Sequence, residues 1–164
     1  SMSITYPETY IALADQVYAE GDTTKAIDLL LTAKEKFPYY FRTPLKLKEL
    51  YLKTGRVEQV EGLLAEAIDR LEYKVEKYPE EKFWWMFLGP LYMENNQTED
   101  AIWAFENALE IDPDERMALS NLLRAYRITG ENEKAIKLLE RWKEDYRNDK
   151  EVQQLYSYFR KMFR

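Results

Sequence analysis

The chain has 164 residues, 46% hydrophobic and 33% charged, which is typical of one globular domain that buries roughly 70% of its unfolded surface. It contains no cysteine and no histidine, which excludes disulfides, thiolate or imidazole metal sites, cysteine nucleophiles and Ser-His-Asp triads. A net charge of -6 argues against nonspecific nucleic-acid binding, and the apolar runs are too short for direct membrane insertion.

The first predicted helical hairpin spans about residues 7–38. Pro7 supplies the fixed φ of a helix start, and Gly21 ends that helix before Asp22 caps the next one. Apolar residues recur at helical spacing on both helices, and Pro38 ends the second. They are Tyr10, Leu13, Ala14 and Val17, then Ala26, Ile27, Leu30, Ala33 and Phe37.

The second predicted hairpin spans about residues 41–78 and turns at Gly55. Thr43 and Pro44 form a cap and first-turn pair, so its first helix is expected to begin there. Its second helix is predicted from Val57 to Tyr78. Gly21 and Gly55 are 34 residues apart, whereas Gly55 and Asn96 are 41 apart. Because seven residues make about two helical turns, the insertion is expected to lengthen the second helix.

Two further hairpins and a closing helix complete the predicted array. The third hairpin, about residues 79–113, turns at Asn95-Asn96, and the fourth, about residues 114–147, turns at Gly130. Asn96 and Gly130 are again 34 residues apart. A last helix over about residues 149–163 carries one apolar stripe, as expected of the terminal cap of a repeat array.

Small residues recur where the paired helices are expected to cross, and large residues fill the space beside them. The predicted crossing positions are Ala26, Ala33, Gly89, Ala101, Ala108 and Ala135. Tyr10, Trp85, Tyr92, Phe105 and Tyr126 are the predicted fillers. Since one hairpin cannot bury its own stripe, stability is expected to come from stacked neighbours.

This pattern resembles the tetratricopeptide repeat (TPR) family over about residues 7–147. The third hairpin carries the family motif throughout, with Trp85, Leu88, Gly89, Tyr92, Ala101, Phe105, Ala108 and Pro113. The chain departs from the motif at Lys48 and Trp142, where small residues are expected. The resemblance implies an all-α fold in a single domain over residues 1–164. That fold would be an α-solenoid, a right-handed superhelix of four TPR hairpins plus one C-terminal helix.

The resemblance also implies a scaffold or adaptor that binds a protein or peptide partner. TPR proteins line a concave groove with the first helix of each hairpin, so a peptide or partner helix is expected to bind there. The carboxylate pairs Glu80-Glu81 and Glu99-Asp100 are at predicted helix starts, where the dipole and solvent stabilise them. We therefore predict no enzyme activity, no cofactor and no metal site.

Side chains of the first helices that point away from the second helices are the predicted partner-binding residues. An apolar set on the third hairpin indicates a binding surface, because soluble proteins rarely leave such a patch uncovered. The alternative prediction is that Phe83 and Phe87 pack against the neighbouring first helix or against the connector at Tyr39-Tyr40-Phe41. Pro90 is expected to kink its helix. The full predicted set is Tyr18, Lys53, Phe83, Met86, Phe87, Pro90, Met93, Met117, Asn121, Arg124 and Arg127.

Two alternatives stay open at this point. The chain is a homo-oligomerising module that uses the apolar patch, or the last helix with Trp142 and Phe159. Otherwise it is a TPR domain of a larger enzyme or membrane-anchored protein. Ser1 and Met2 resemble a cloning remnant, so a preceding targeting segment is not excluded. A cytoplasmic location is favoured over a periplasmic or extracellular one, although the sequence fixes none.

Overall fold

The computed structural model describes residues 6–60 and 62–163, and Ser1 and Met2 lie outside these ranges. The described residues form α-helices and one short 3-10 turn, with no strand among them, which confirms the all-α prediction. The helices are α1 (Pro7–Ala19), α2 (Thr23–Lys36), α3 (Arg42–Lys53), α4 (Leu63–Lys77), α5 (Lys82–Glu94), α6 (Thr98–Ile111), α7 (Arg116–Thr129), α8 (Asn132–Asp145) and α9 (Lys150–Met162).

Four helical hairpins follow one another, each packed against the next, and α9 packs on α8. The chain reverses at Gly21, Gly55, Asn96 and Gly130, all of which have positive φ. Asn96 has a φ of 61° and thus takes the place that glycine has in the other turns. Asparagine tolerates this left-handed conformation better than most residues. The four predicted turns are therefore confirmed.

The small residues are at the helix crossings, as predicted from their spacing. Ala26, Ala33, Ala101, Ala108 and Ala135 are all fully buried. Gly89 of α5 lies so close to α6 that an added Cβ would be 2.4 Å from Cε1 of Phe105. No larger residue fits there without displacing the ring.

A tyrosine on the first helix of one hairpin donates a hydrogen bond to a glutamate on the hairpin before it. Tyr92 bonds Glu72 at 2.6 Å. The same contact joins Tyr126 to Glu106 at 2.5 Å and Tyr156 to Glu140 at 2.8 Å. Burial, then the adjoining carboxylate, raises the pKa of Tyr92 and of Tyr126, so both phenols stay protonated and act as donors. These bonds let the rings be buried without leaving their hydroxyls unpaired.

The insertion in the second hairpin does not lengthen its helix, so that prediction is wrong. After Gly55 the chain forms a 3-10 turn over Val57–Gln59, and α4 begins only at Leu63. At 15 residues α4 is one residue longer than α6, which has 14. Gly62, with a φ of 75°, lies in the left-handed region, through which a right-handed helix cannot continue. The extra residues therefore lengthen the connection.

Thr43 does not cap α3, contrary to the prediction. The helix begins one residue earlier, at Arg42, and Thr43 lies within its first turn. The side chain is fully buried, and its hydroxyl has no hydrogen-bond partner in the described part of the chain. At the other end, Asp149 does cap α9 by accepting from the amides of Glu151 and Val152. The predicted C-terminal helix is thus confirmed.

The hydrophobic interior is divided into two cores. The N-terminal core joins α1, α2 and α3 and includes Leu63. The C-terminal core begins with the next residue, Leu64, and continues to Phe163. The connector before α3 bridges them, because Tyr40 packs on the N-terminal core while Tyr39 and Phe41 pack on the C-terminal one. The second hairpin is therefore shared between two packed halves.

Candidate functional site

A groove of about 590 Å³ runs along the face formed by α1, α3, α5 and α7, the first helices of the hairpins. We call it the A-helix groove. Its lining mixes apolar and charged side chains. The lining residues are Ile11, Asp15, Phe41, Arg42, Leu45, Lys46, Glu49, Glu94 and Met117.

One ion pair crosses the A-helix groove from α3 to α1, and two more lie along α3. The Lys46 ammonium lies 2.7 Å from Asp15 of α1 and 2.9 Å from Glu49 of its own helix. Glu49 also meets Lys53 at 2.5 Å. Hydrogen bonds from Lys53, then Lys46, hold the pKa of Glu49 below its ordinary value of 4.5. The groove therefore keeps charges of both signs at neutral pH, in pairs exposed enough to exchange with charges of a bound segment.

A second groove, of about 530 Å³, lies between α7 and α9. We call it the α7–α9 groove. Ile128 and Tyr158 line it and are 63% and 60% exposed. Arg124 and Arg127 also line it, and neither forms an ion pair with any residue in 6–60 or 62–163. This end of the array therefore presents two arginines beside exposed apolar surface.

The predicted apolar patch on α5 is largely an internal cluster. Phe87 lies 5.1 Å from Phe41 and 5.9 Å from Tyr40, measured between ring centroids. The alternative in which Phe87 packs on the connector is therefore the one observed. Phe83 packs on Trp84 at 4.4 Å and remains 40% exposed. Met86 is only 7% exposed and belongs to the C-terminal core, so its prediction as a surface contact is wrong.

The remaining predicted residues lie in different places. Met117 lines the A-helix groove, and Arg124 and Arg127 line the α7–α9 groove. Tyr18 and Lys53 line a small cavity of about 30 Å³ beside Lys46. The half-buried positions are Pro90, Met93 and Asn121, and α5 continues through Pro90. The structure therefore does not gather the predicted set into one site.

Metal-ligand groups and membrane-spanning helices are both missing from the described residues. Within 6–60 and 62–163 there is no group of three or more carboxylate, imidazole or thiolate side chains placed to hold a metal ion. None of the helices described is both long and apolar enough to cross a membrane. The carboxylates Glu80 and Glu81 are exposed at the turn before α5, as expected for structural roles.

Known proteins resemble the chain in sequence and in fold. A tetratricopeptide repeat family model matches residues 92–157. The chain is 30% identical over 103 residues to tetratricopeptide repeat protein 21B of Mus musculus, covering 63% of this chain and 7% of that protein. It is 32% identical over 114 residues to the PEX5-related protein of Homo sapiens, covering 68% of this chain and 18% of that protein.

The fold superposes on a thermophilic TPR protein of Thermus thermophilus with a TM-score of 0.51. The match covers 94% of this chain and 98% of that one, at 17% identity. The chain belongs to the TPR family. TPR domains are typically non-catalytic modules for protein–protein interaction. The chain spans less than a fifth of either sequence relative, 7% and 18%, so their whole-protein activities do not transfer to it.

The structure accommodates both departures from the TPR motif. Lys48, on α3, reaches across to the end of α5, where its ammonium donates to the Glu94 carbonyl at 2.7 Å and meets the Glu94 carboxylate at 3.0 Å. A cation is favourable at a helix C-terminus. Trp142 is buried in the C-terminal core and packs on Tyr146 at 5.7 Å. Trp142 and Phe159 are each only 5% exposed, so most of either side chain is already packed within the chain.

Reasoning from the sequence missed several exposed residues of the TPR array. Ile128 and Tyr158 in the α7–α9 groove were not predicted as contacts, nor was Trp103 on α6, which is 49% exposed. Trp103 lies outside the apolar stripe formed by Ala101, Ile102 and Phe105 on the same helix. A large aromatic residue at a position that usually faces solvent is a signal that could have identified it.

Proposed function

We propose that this TPR array binds a segment of a partner protein in the A-helix groove. The supporting observation is one continuous groove of about 590 Å³ to which four successive first helices contribute side chains. Family membership supports the same function, since TPR modules typically bind proteins.

The chemistry of the groove favours a segment with both apolar and charged side chains. Met117 is 51% exposed within the groove, so covering it removes apolar surface from water. Lys46 and Glu49 offer opposite charges about one helical turn apart on α3. Acidic and basic residues of a bound segment therefore replace the internal partners of these two groups.

Peptide selection followed by groove substitutions tests this function. Peptides are selected from a displayed random library, and their affinities are measured by calorimetry. We expect Met117→Asp to weaken binding by about tenfold or more, because it places a charge on the apolar contact. Val57→Asp is the matched control, since Val57 is an exposed apolar residue, 61% exposed, on the connection to α4.

Arg124→Glu distinguishes the two grooves. A peptide in the A-helix groove keeps its affinity for this variant, whereas a peptide in the α7–α9 groove loses it. Circular dichroism and thermal unfolding confirm that each variant is folded. The proposal is wrong if every selected peptide binds Met117→Asp as tightly as the native chain.

A further inference from the structure

An open cavity of about 410 Å³ lies between α4 and α6, with α5 as its floor. Trp85 of α5 lines it, whereas Glu94 of the same helix lines the A-helix groove. These two residues are nine positions apart, which places them on opposite sides of a helix that turns roughly 100° per residue. The cavity is therefore on the other face of the array. An inference drawn from it does not depend on the function proposed above.

Two tryptophans meet at a right angle in this cavity. The ring centroids of Trp85 and Trp103 are 4.7 Å apart, with an interplanar angle of 90°. The indole N–H of Trp85 donates to the carbonyl of Pro79 at 2.7 Å, which fixes its ring. Trp85 is buried, whereas Trp103 remains half exposed. The cavity thus has a fixed aromatic floor and an accessible aromatic wall.

Two carboxylates line this aromatic corner, and a third lies near Tyr92. Glu72 and Glu76, one turn apart on α4, line the cavity and are exposed. Asp100 of α6 lies close enough to act on Tyr92 electrostatically. None of the three acids forms an ion pair within the described ranges, residues 6–60 and 62–163. Aromatic faces beside unpaired carboxylates attract a cation.

The next hairpin provides an internal comparison, because each residue of the cavity has a counterpart 34 positions later. Glu106 and Glu110 repeat the two glutamates, and Tyr126 repeats Tyr92. The counterparts of Asp100 and Trp103, however, are Lys134 and Lys137.

The Lys134 ammonium lies 5.7 Å from the ring centroid of Tyr126 and close enough to Glu106 to interact with it electrostatically. The fourth hairpin therefore supplies a cation of its own, Lys134, which also pairs with Glu131 of the turn before α8. The third hairpin has an acid and a tryptophan there instead, so no cation from residues 6–60 or 62–163 pairs with the carboxylates of this cavity.

We propose that the cavity formed by Glu72, Glu76, Trp85 and Trp103 binds an arginine side chain of a partner protein. A planar guanidinium stacks on the Trp103 indole while it donates paired hydrogen bonds to a carboxylate. A lysine ammonium lacks both the flat face and the fork of donors. The free oxygen of Glu72 and the whole carboxylate of Glu76 are available, since Tyr92 occupies only one Glu72 oxygen.

Nuclear magnetic resonance with the peptide Ac-Gly-Arg-Gly-NH₂ tests this assignment on the full chain. The controls replace arginine by citrulline, its neutral isostere, or by lysine. We expect the arginine peptide to shift the indole N–H signal of Trp103 and to bind about tenfold more tightly than either control. The signals of Tyr126 and its surroundings remain unchanged, because Lys134 serves that position.

Substitutions copied from the next hairpin provide a second test. Trp103→Lys reproduces Lys137, a residue that the fold already tolerates at the equivalent place, and is expected to abolish arginine binding. Glu76→Gln weakens binding several-fold, while its counterpart Glu110→Gln has no effect. The inference is overturned if citrulline or lysine binds as tightly as arginine, or if binding survives Trp103→Lys. Failure of the A-helix groove variants leaves this result unaffected, because the two sites share no residue.

Discussion

Replacing Gly89 by alanine tests whether small residues set the spacing of the helices. An added Cβ would lie 2.4 Å from Cε1 and 2.5 Å from Cζ of Phe105. Carbon atoms in contact ordinarily lie about 3.5 to 4.0 Å apart, so the ring must move by roughly 1 Å. Phe105 is only 1% exposed and has packed neighbours around it. The displacement therefore spreads into the interface between α5 and α6.

The magnitude follows from two opposing terms. Overpacking a filled core costs about 1 to 3 kcal/mol, and this site is at the upper end because the ring is buried. Alanine recovers about 1 kcal/mol through its greater helix propensity. We therefore expect Gly89→Ala to lower the free energy of unfolding by about 2 kcal/mol, which for a domain of this size lowers the Tm by about 4 to 8 °C.

Urea unfolding followed by circular dichroism measures this loss, and a double-mutant cycle assigns it. Phe105→Leu alone removes buried surface and costs about 1 to 2 kcal/mol. In the Gly89→Ala background the same change also relieves the clash, so it costs less. The reasoning is refuted if Gly89→Ala is as stable as the native chain, or if Phe105→Leu costs the same in both backgrounds.

Three further substitutions probe features that hold the array together. Tyr92→Phe removes the hydrogen bond to Glu72 and is expected to cost about 1 kcal/mol in urea unfolding, because the exposed carboxylate is rehydrated. Thr43→Val replaces a buried, unpartnered hydroxyl by a methyl group and is expected to add about 1 kcal/mol, whereas Thr43→Ser gives no gain. The third concerns Asp149, whose pKa is held below its ordinary value of 3.8 mainly by the backbone amide of Val152. Its stabilising contribution is complete above that pH and is lost as the pH falls below it, so Asp149→Asn flattens the acid limb of a Tm profile measured from about pH 6 to pH 3.

Negative results are equally clear. An unchanged Tyr92→Phe would show that the tyrosine–glutamate contact contributes nothing net. A less stable Thr43→Val would indicate that the hydroxyl is satisfied by solvent. An acid limb of the Tm profile that is identical in Asp149→Asn would show that this cap does not contribute to the pH dependence of stability.

The hairpins were predictable because their signals are local. Gly21, Asn96 and Gly130 each stand at the end of a periodic helix, and the spacing of Ala101 and Ala108 directly marks the crossing points. The start of the second helix in the second hairpin was not predictable in this way. Length alone does not say whether seven inserted residues extend a helix or a connection. The positive φ of Gly62 is what ends the connection and delays the start of α4. The sequence alone does not reveal this conformation, because a glycine near a helix start has several uses.

The candidate site was less predictable than the fold. Helical register predicts the direction in which the side chains of Met86 and Phe87 point from α5. It does not predict which part of the chain packs on that side. The connector at Tyr40 and Phe41 returns over α5 and covers Phe87, a contact between residues more than 40 positions apart. Met117 and Arg124 remain exposed, and each lines one of the two grooves.

Leu63 and Leu64 are consecutive residues, yet they are packed in different cores. The first turn of α4 consequently couples the halves of the molecule. Any tilt of α1–α3 relative to α5–α9 is transmitted through that turn, through the rings at Tyr39, Tyr40 and Phe41, and through the contact of Lys48 with Glu94. Since the A-helix groove spans both halves, its width depends on how these contacts hold the two halves together.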